Sequence, residues 1–160
     1  MTNPSFPNLP FLKREKKPRD KGINYVRAPV MVGKCIDDYL EAYGELVDIF
    51  KLSGKQAAMM SQSSLLDFIS TCKKYEVLIA LGNPLMDVAL VGGKKTVDEF
   101  LDKVATYKID IIEISSIARS IDDDDMYRLI ENASKRGIKV IIPASHQNPK
   151  VLVRDDAKVV

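Results

Sequence analysis

The stretch VDIFKLSG, Val47 to Gly54, decides the fold. Four apolar residues, Val47, Ile49, Phe50 and Leu52, surround Asp48 and Lys51, and Ser53 and Gly54 close the run. A short run rich in β-branched and aromatic residues, bounded by a breaker, reads as a buried strand. The lysine inside it needs a reason, because an ammonium is costly beside an apolar core. In parallel α/β proteins that reason is positional: charges and small-residue loops gather at strand C-termini, where chemistry is presented.

Working outward, the same plan recurs. Strands are expected at residues 23–28 (INYVRA, stopped by Pro29), 76–81, 109–115 and 139–143. Residues 35–46 carry Ile36, Tyr39, Leu40 and Tyr43 at helical spacing. Gly54, Lys55 and Gln56 read as a loop, and residues 63–75 as a helix with Leu65, Leu66, Ile69 and Cys72 on its buried face. Ser63 or Ser64 suits its N-cap. A short helical segment over 85–90 precedes a helix over 96–107, where Thr96 and Glu99 have capping-box spacing. A last helix over 120–136 opens on Asp122, Asp123, Asp124 and Asp125. About five strands alternating with four to five helices imply βαβ crossovers and a parallel sheet. Two α/β architectures compete, a doubly wound open sheet and a (β/α)8 TIM-barrel type; a whole barrel needs about 250 residues, so this length suits an incomplete one of about five strands.

Composition sets the bounds. The 160 residues suit one domain, with 24 basic against 22 acidic side chains and a net charge of +2. That balance does not argue for nucleic acid. Residues 1–21 read as a Pro-rich and then basic arm whose charges are solvated, residues 22–150 as one β/α domain, and residues 151–160 as a tail. Cys35 and Cys72 form no CxxC and read as reduced, buried thiols. No run approaches a membrane span. Pro4, Pro7 and Pro10 interrupt any signal-peptide core, so a soluble, cytoplasmic protein is expected.

Several chemistries are excluded by pattern. GxGxxG is absent. Gly92-Gly93-Lys94-Lys95-Thr96 is no P-loop, because Val88 stands where the first glycine belongs. His146 is the only histidine, so multi-histidine zinc sites are out, and there is no GxSxG. The aspartate run lacks calcium-loop spacing and reads as compensation of a helix dipole. What remains is the set of strand ends: Arg27, then Lys51 and Ser53, Gly82 and Asn83, Glu113 and Ser115, and finally Ser145 and His146. In a parallel sheet these share one rim. Arg27 and Lys51, with Lys55 nearby, suit a phosphate or carboxylate. Glu113 either holds Mg2+ through one carboxylate or pairs with Lys51.

From residue 17 to about His146 the chain resembles phosphosulfolactate synthases. The resemblance runs through GINYVRAP, VDIFKLSG, ALGNPLMDVALVGG, VDEFLDKVATYKIDIIEISS and RLIENASKRGIKVIIP, in that order. The enzymes are similar at VDFxKFGxG, PGGTLFE, a DEFL-type helix and AxEISDG. KPRDKGINYVRAP and VDIFKLSGK look closer to the plant heat-stress-associated branch. The resemblance implies a (β/α)8 enzyme of the coenzyme M pathway that adds sulfite to phosphoenolpyruvate with Mg2+. It covers the first five-eighths of the family barrel, and a five-stranded piece exposes two edges that invite a second copy of the chain.

Lys51, Gly82, Glu113 and Ser115 match the family pattern, while Ala28, Pro29, Val30, Asn83, Asp87 and Ser116 depart from it. His146 and Gln147 stand where the synthases have a lysine. A phosphosulfolactate synthase-like protein with an eroded site is therefore expected. If it is an active lyase, Arg27, Lys51, Ser53, Gly82, Asn83 and Ser115 bind a small anionic substrate. Glu113 then holds Mg2+, and Lys51 and His146 are catalytic, His146 as proton donor. The alternative is a non-catalytic stress-related or interaction module on the same fold.

Overall fold

The computed structural model describes residue 6 and residues 8–10, 14–28, 32–114 and 121–143. In chain order the elements are β1 (Tyr25–Arg27), α1 (Lys34–Tyr43) with a 3-10 turn (Gly44–Leu46), β2 (Ile49–Leu52), α2 (Gly54–Met59), α3 (Gln62–Lys74), β3 (Leu78–Leu81), α4 (Pro84–Val91), α5 (Gly93–Thr106), β4 (Ile111–Glu113), α6 (Asp123–Ser134) and β5 (Lys139–Ile141). The strands form one parallel sheet in the order β1-β2-β3-β4-β5. Each crossover steps one strand further in the same direction. A doubly wound sheet would reverse that order; the unbroken order is that of an incomplete β/α barrel.

The side chains agree. Phe50, Leu52, Ile79, Leu81, Ile112 and Ile114 pack into one core with helix residues such as Ile36, Leu40, Phe68 and Leu101. The alternate residues Ile49, Ala80 and Ile111, with Ile141 against them, form a separate small cluster that contains no helix residue among the described residues. Strand side chains alternate faces with period two. One face therefore meets the helices, and the other is the barrel interior. Lys51 shares its parity with Ile49, so its charge points away from the helix-side core.

Several local expectations are corrected. Residues after β2 form α2 rather than a loop, starting at Gly54. The N-cap of α3 is Ser61, whose side chain accepts the N–H of Ser64, and neither Ser63 nor Ser64 caps it. Thr96 lies inside α5 and donates its hydroxyl to Gly92 O, so it caps nothing. The acidic run does serve the start of α6: Asp122 is the N-cap, bonded to Asp125 N–H, with three further aspartates in the first turn. Cys72 is buried, which pushes its thiol pKa up to about 12, but Cys35 is exposed. Among the described residues no helix is long and apolar enough to cross a membrane. Pro29, Val30, Ser115, Ser120, the exit loop 144–150 and the tail 151–160 lie outside the described residues.

The basic arm is not simply solvated. Lys16 and Lys21 are exposed, but Arg14 and Arg19 converge on Asp48, just before β2. Arg19 lies 2.6 Å and Arg14 2.8 Å from the carboxylate, whose Oδ2 also accepts Asn24 N–H at 2.8 Å. The Arg19 side chain is only 3 % exposed. Lys17 donates to Tyr75 O at 2.9 Å. Burial alone would raise the Asp48 carboxyl, but the Asn24 N–H and then the two guanidinium groups overcome it, and its pKa falls below the ordinary value.

Two predictions follow from this packing. Asp48→Asn leaves the buried Arg19 guanidinium with only the exposed Glu45 as counter-charge and costs about 3 kcal/mol at neutral pH. Because the folded-state pKa is depressed, the aspartate's contribution is present above its unfolded value of about 3.9 and is lost as pH falls through the folded value. Urea melts should show wild type and variant converging in acid; a gap independent of pH would reject the charge as the cause. Gly54→Ala places a Cβ 2.8 Å from Leu85 N and 2.9 Å from Gly82 O. Both neighbours are backbone and cannot rotate away, so a loss of about 2 kcal/mol is expected in the same melts.

Candidate functional site

The rim is built from residues at or just beyond the C-terminal ends of the strands. Arg27 pairs with Lys51 across β1 and β2, and Lys51 pairs with Ala80 across β2 and β3. The inner face of β3 is thus Ala80 and then, one pleat on, Gly82. These small residues leave a lane across which Lys51 reaches past β3 to β4. Its Nζ lies 2.7 Å from Glu113 Oε2. A Cβ on Gly82 would sit 3.1 Å from Lys51 Cε and 3.2 Å from Leu52 O, so the lysine stem lies directly over that glycine.

Glu113 is 3 % exposed, and both of its oxygens are engaged. Oε2 takes Lys51 and, at 3.4 Å, the N–H of Asn83; Oε1 takes the Tyr25 hydroxyl at 2.7 Å. Burial, and then the hydrogen bond to Glu113, push the Tyr25 phenol well above its ordinary pKa. The phenol therefore stays protonated and donates its hydrogen to Glu113 Oε1. The Lys51 side chain is 30 % exposed, whereas its partner Glu113 is buried.

The structure therefore brings together Lys51, Gly82, Asn83 and Glu113, all expected from the sequence. Arg27 stands beside them in register and is exposed. Ser53 is the N-cap position of α2, two residues beyond Lys51; its side chain makes no capping bond. Lys55 lies exposed on α2, outside the cluster. Ser115 and His146 fall outside the described residues. Sequence reading missed Tyr25. The signal was available: Tyr25 is two residues before Arg27 on the same strand and so shares its face.

Of the two roles open to Glu113, the geometry shows the ion pair. The expectation of Mg2+ there does not fit this donor set. A cation at Glu113 would have to displace Lys51. Mg2+ prefers one or two carboxylates with open solvent positions, whereas this carboxylate is buried and already bonded on both oxygens.

Known proteins bear on this arrangement. Two relatives are phosphosulfolactate synthases: that of Methanocaldococcus jannaschii is 24% identical over 139 residues, and that of Methanothermobacter thermautotrophicus is 23% identical over 137 residues. The matches take in 85% and 86% of this chain but 55% and 52% of the relatives, so the chain spans about half their length. Among solved structures, D-psicose 3-epimerase from Clostridium cellulolyticum H10 with D-tagatose gives a TM-score of 0.45 at 12% identity, over 66% of this chain and 45% of that one. A D-psicose 3-epimerase structure with D-fructose gives 0.43 at 20% identity, over 67% and 46%. Scores of that size carry neither fold nor function. Residues 12–159 match the family model for (2R)-phospho-3-sulfolactate synthase (ComA), nearly the whole chain, and by that match the chain belongs to the phosphosulfolactate synthase family.

Proposed function

We propose that this chain supplies the anion-binding rim of a phosphosulfolactate synthase-type site, taking a small phosphorylated carboxylate of the phosphoenolpyruvate class. The observation that supports it is the Lys51 ammonium, held over Gly82 at a strand C-terminus with Arg27 on the next strand. Strand C-termini are where β/α barrels place their chemistry. In this reading Arg27 and Lys51 bind the phosphate and carboxylate. Sulfite adds through sulfur to the methylene carbon, the double-bond electrons move toward the carboxylate, and a proton returns to the phosphate-bearing carbon. His146 is the donor assigned to that proton. No step is routed through Mg2+.

The same ion pair favours a second reading. Glu113 already balances the Lys51 charge, which weakens the pull on an anion and suits a non-catalytic binding or interaction module on this fold. Product formation separates the two readings.

A thermal-shift titration with phosphoenolpyruvate, with and without Mg2+ and then with sulfite, is the direct test. A ligand at 100 times its Kd adds about 2.7 kcal/mol, a rise of several degrees for a chain of this size. Arg27→Ala, which empties no buried partner, is expected to weaken binding about tenfold, the worth of one charge-assisted hydrogen bond. Lys51→Ala is expected to abolish the shift. A full shift in both variants, or none in the wild type, rejects the anion-binding rim. Binding without carbon–sulfur bond formation selects the non-catalytic reading.

A further inference from the structure

We infer that Tyr25 is the positioning residue of this rim: its phenol fixes the Glu113 carboxylate, and through it the direction in which Lys51 presents its ammonium. The anion part of this inference rests on the proposed function; the positioning of Lys51 does not.

Geometry carries the argument. Tyr25 sits on β1 and Glu113 on β4, with β2 and β3 between them. The phenol nevertheless reaches Oε1 at 2.7 Å, over the small inner cluster of Ile49, Ala80 and Ile111. With Oε1 tied to β1 and Oε2 tied to Lys51 and to the Asn83 N–H, the carboxylate has no free rotation left. An ammonium carries three donors. Glu113 Oε2 takes one and sets the orientation of the others, on a side chain that is 30 % exposed as a whole.

The chemical type at position 25 matters. A cation there would share the Glu113 charge with Lys51, and a carboxylate would repel both Glu113 and an incoming anion. A neutral, rigid donor satisfies Oε1 and leaves the charge to Lys51. Tyr25 as a residue is 38 % exposed, so packing is only part of its role. Burial and the Glu113 hydrogen bond both hold the phenol in its protonated form.

Tyr25→Phe removes the hydroxyl and keeps the ring. The first readout needs no ligand: NMR of lysine ammonium groups in 15N-labelled protein, with the Lys51 signal assigned by its loss in Lys51→Arg. We expect a resolved, slowly exchanging Lys51 signal in the wild type and exchange at least about tenfold faster in Tyr25→Phe, as the pair loses one part-buried hydrogen bond. An absent wild-type signal, or one unchanged in Tyr25→Phe, overturns the inference.

The second readout is the Kd for phosphoenolpyruvate in a double-mutant cycle with Glu113→Gln. Tyr25→Phe should raise Kd about tenfold in the wild-type background and have no further effect in Glu113→Gln. An equal loss in both backgrounds means that Tyr25 acts on the ligand itself, which also overturns it. A wild type that does not bind phosphoenolpyruvate sinks the proposed function, and the ammonium signal then decides the inference alone.

Discussion

A sheet wound in one direction has a single face to give to its helices. Every crossover in this chain moves to the next strand on the same side, so α1 to α6 are committed to one surface and the apolar side chains of that parity to one core. Among the described residues the opposite face receives no helix. It is filled by its own smaller side chains, and there polar groups are tolerated near the strand C-termini. Lys51 and Glu113 sit at the C-terminal ends of strands that otherwise read as core, and they are stable there because they face the interior of the curve rather than the helix layer.

The Lys51–Glu113 pair also depends on what is missing from β3. Ala80 and Gly82 put almost no bulk on the inner face, so a side chain from β2 lies across the strand and meets one from β4. Glu113 is deeply buried while Lys51 is part-exposed. The desolvation cost therefore falls on the carboxylate, and it is offset by three donors from β1, β2 and the loop after β3. At the other end of the barrel the arrangement is mirrored in charge: Asp48 is the buried anion, and Arg14, Arg19 and the Asn24 N–H are its donors. Each end of β2 thus carries one charge of opposite sign, and each is satisfied by residues distant in sequence.

What was legible in the sequence follows from this layout. Parallel strands buried on both faces read as continuous apolar runs, so VDIFKLSG, the strand before Gly82 and IDIIEIS were recognisable without a partner in view. Helix periodicity likewise located α1 and α3, while the spacing of Thr96 and Glu99 and the aspartate run marked α5 and α6. Long-range pairing was hidden. Nothing local in KREKKPRD says that Arg14 and Arg19 fold back onto Asp48, so the arm read as solvated charge. The start of α2 at Gly54 ran against the residue's poor helix propensity, and its glycine is demanded instead by the close approach of Leu85 N and Gly82 O. At the site, Lys51 and Glu113 were found because charges inside strands are rare. Their pairing stayed one of two options, because only the geometry shows that β3 leaves room between them. Tyr25 escaped because a tyrosine in a strand is ordinary; its role appears only when β1 curls toward β4.

That curl gives the two inner contacts a mechanical meaning. Tyr25 and Lys51 both grip Glu113 from strands that are not its neighbours, like a calliper closed across the concave side. Flattening the sheet would lengthen both spans together, while a tighter bend would crowd the ring against Ala80. The residues of the rim and the radius of the sheet are therefore set by the same two distances, and a substitution that alters the bend anywhere along β1 to β4 will be felt first as a change in the reach of one lysine.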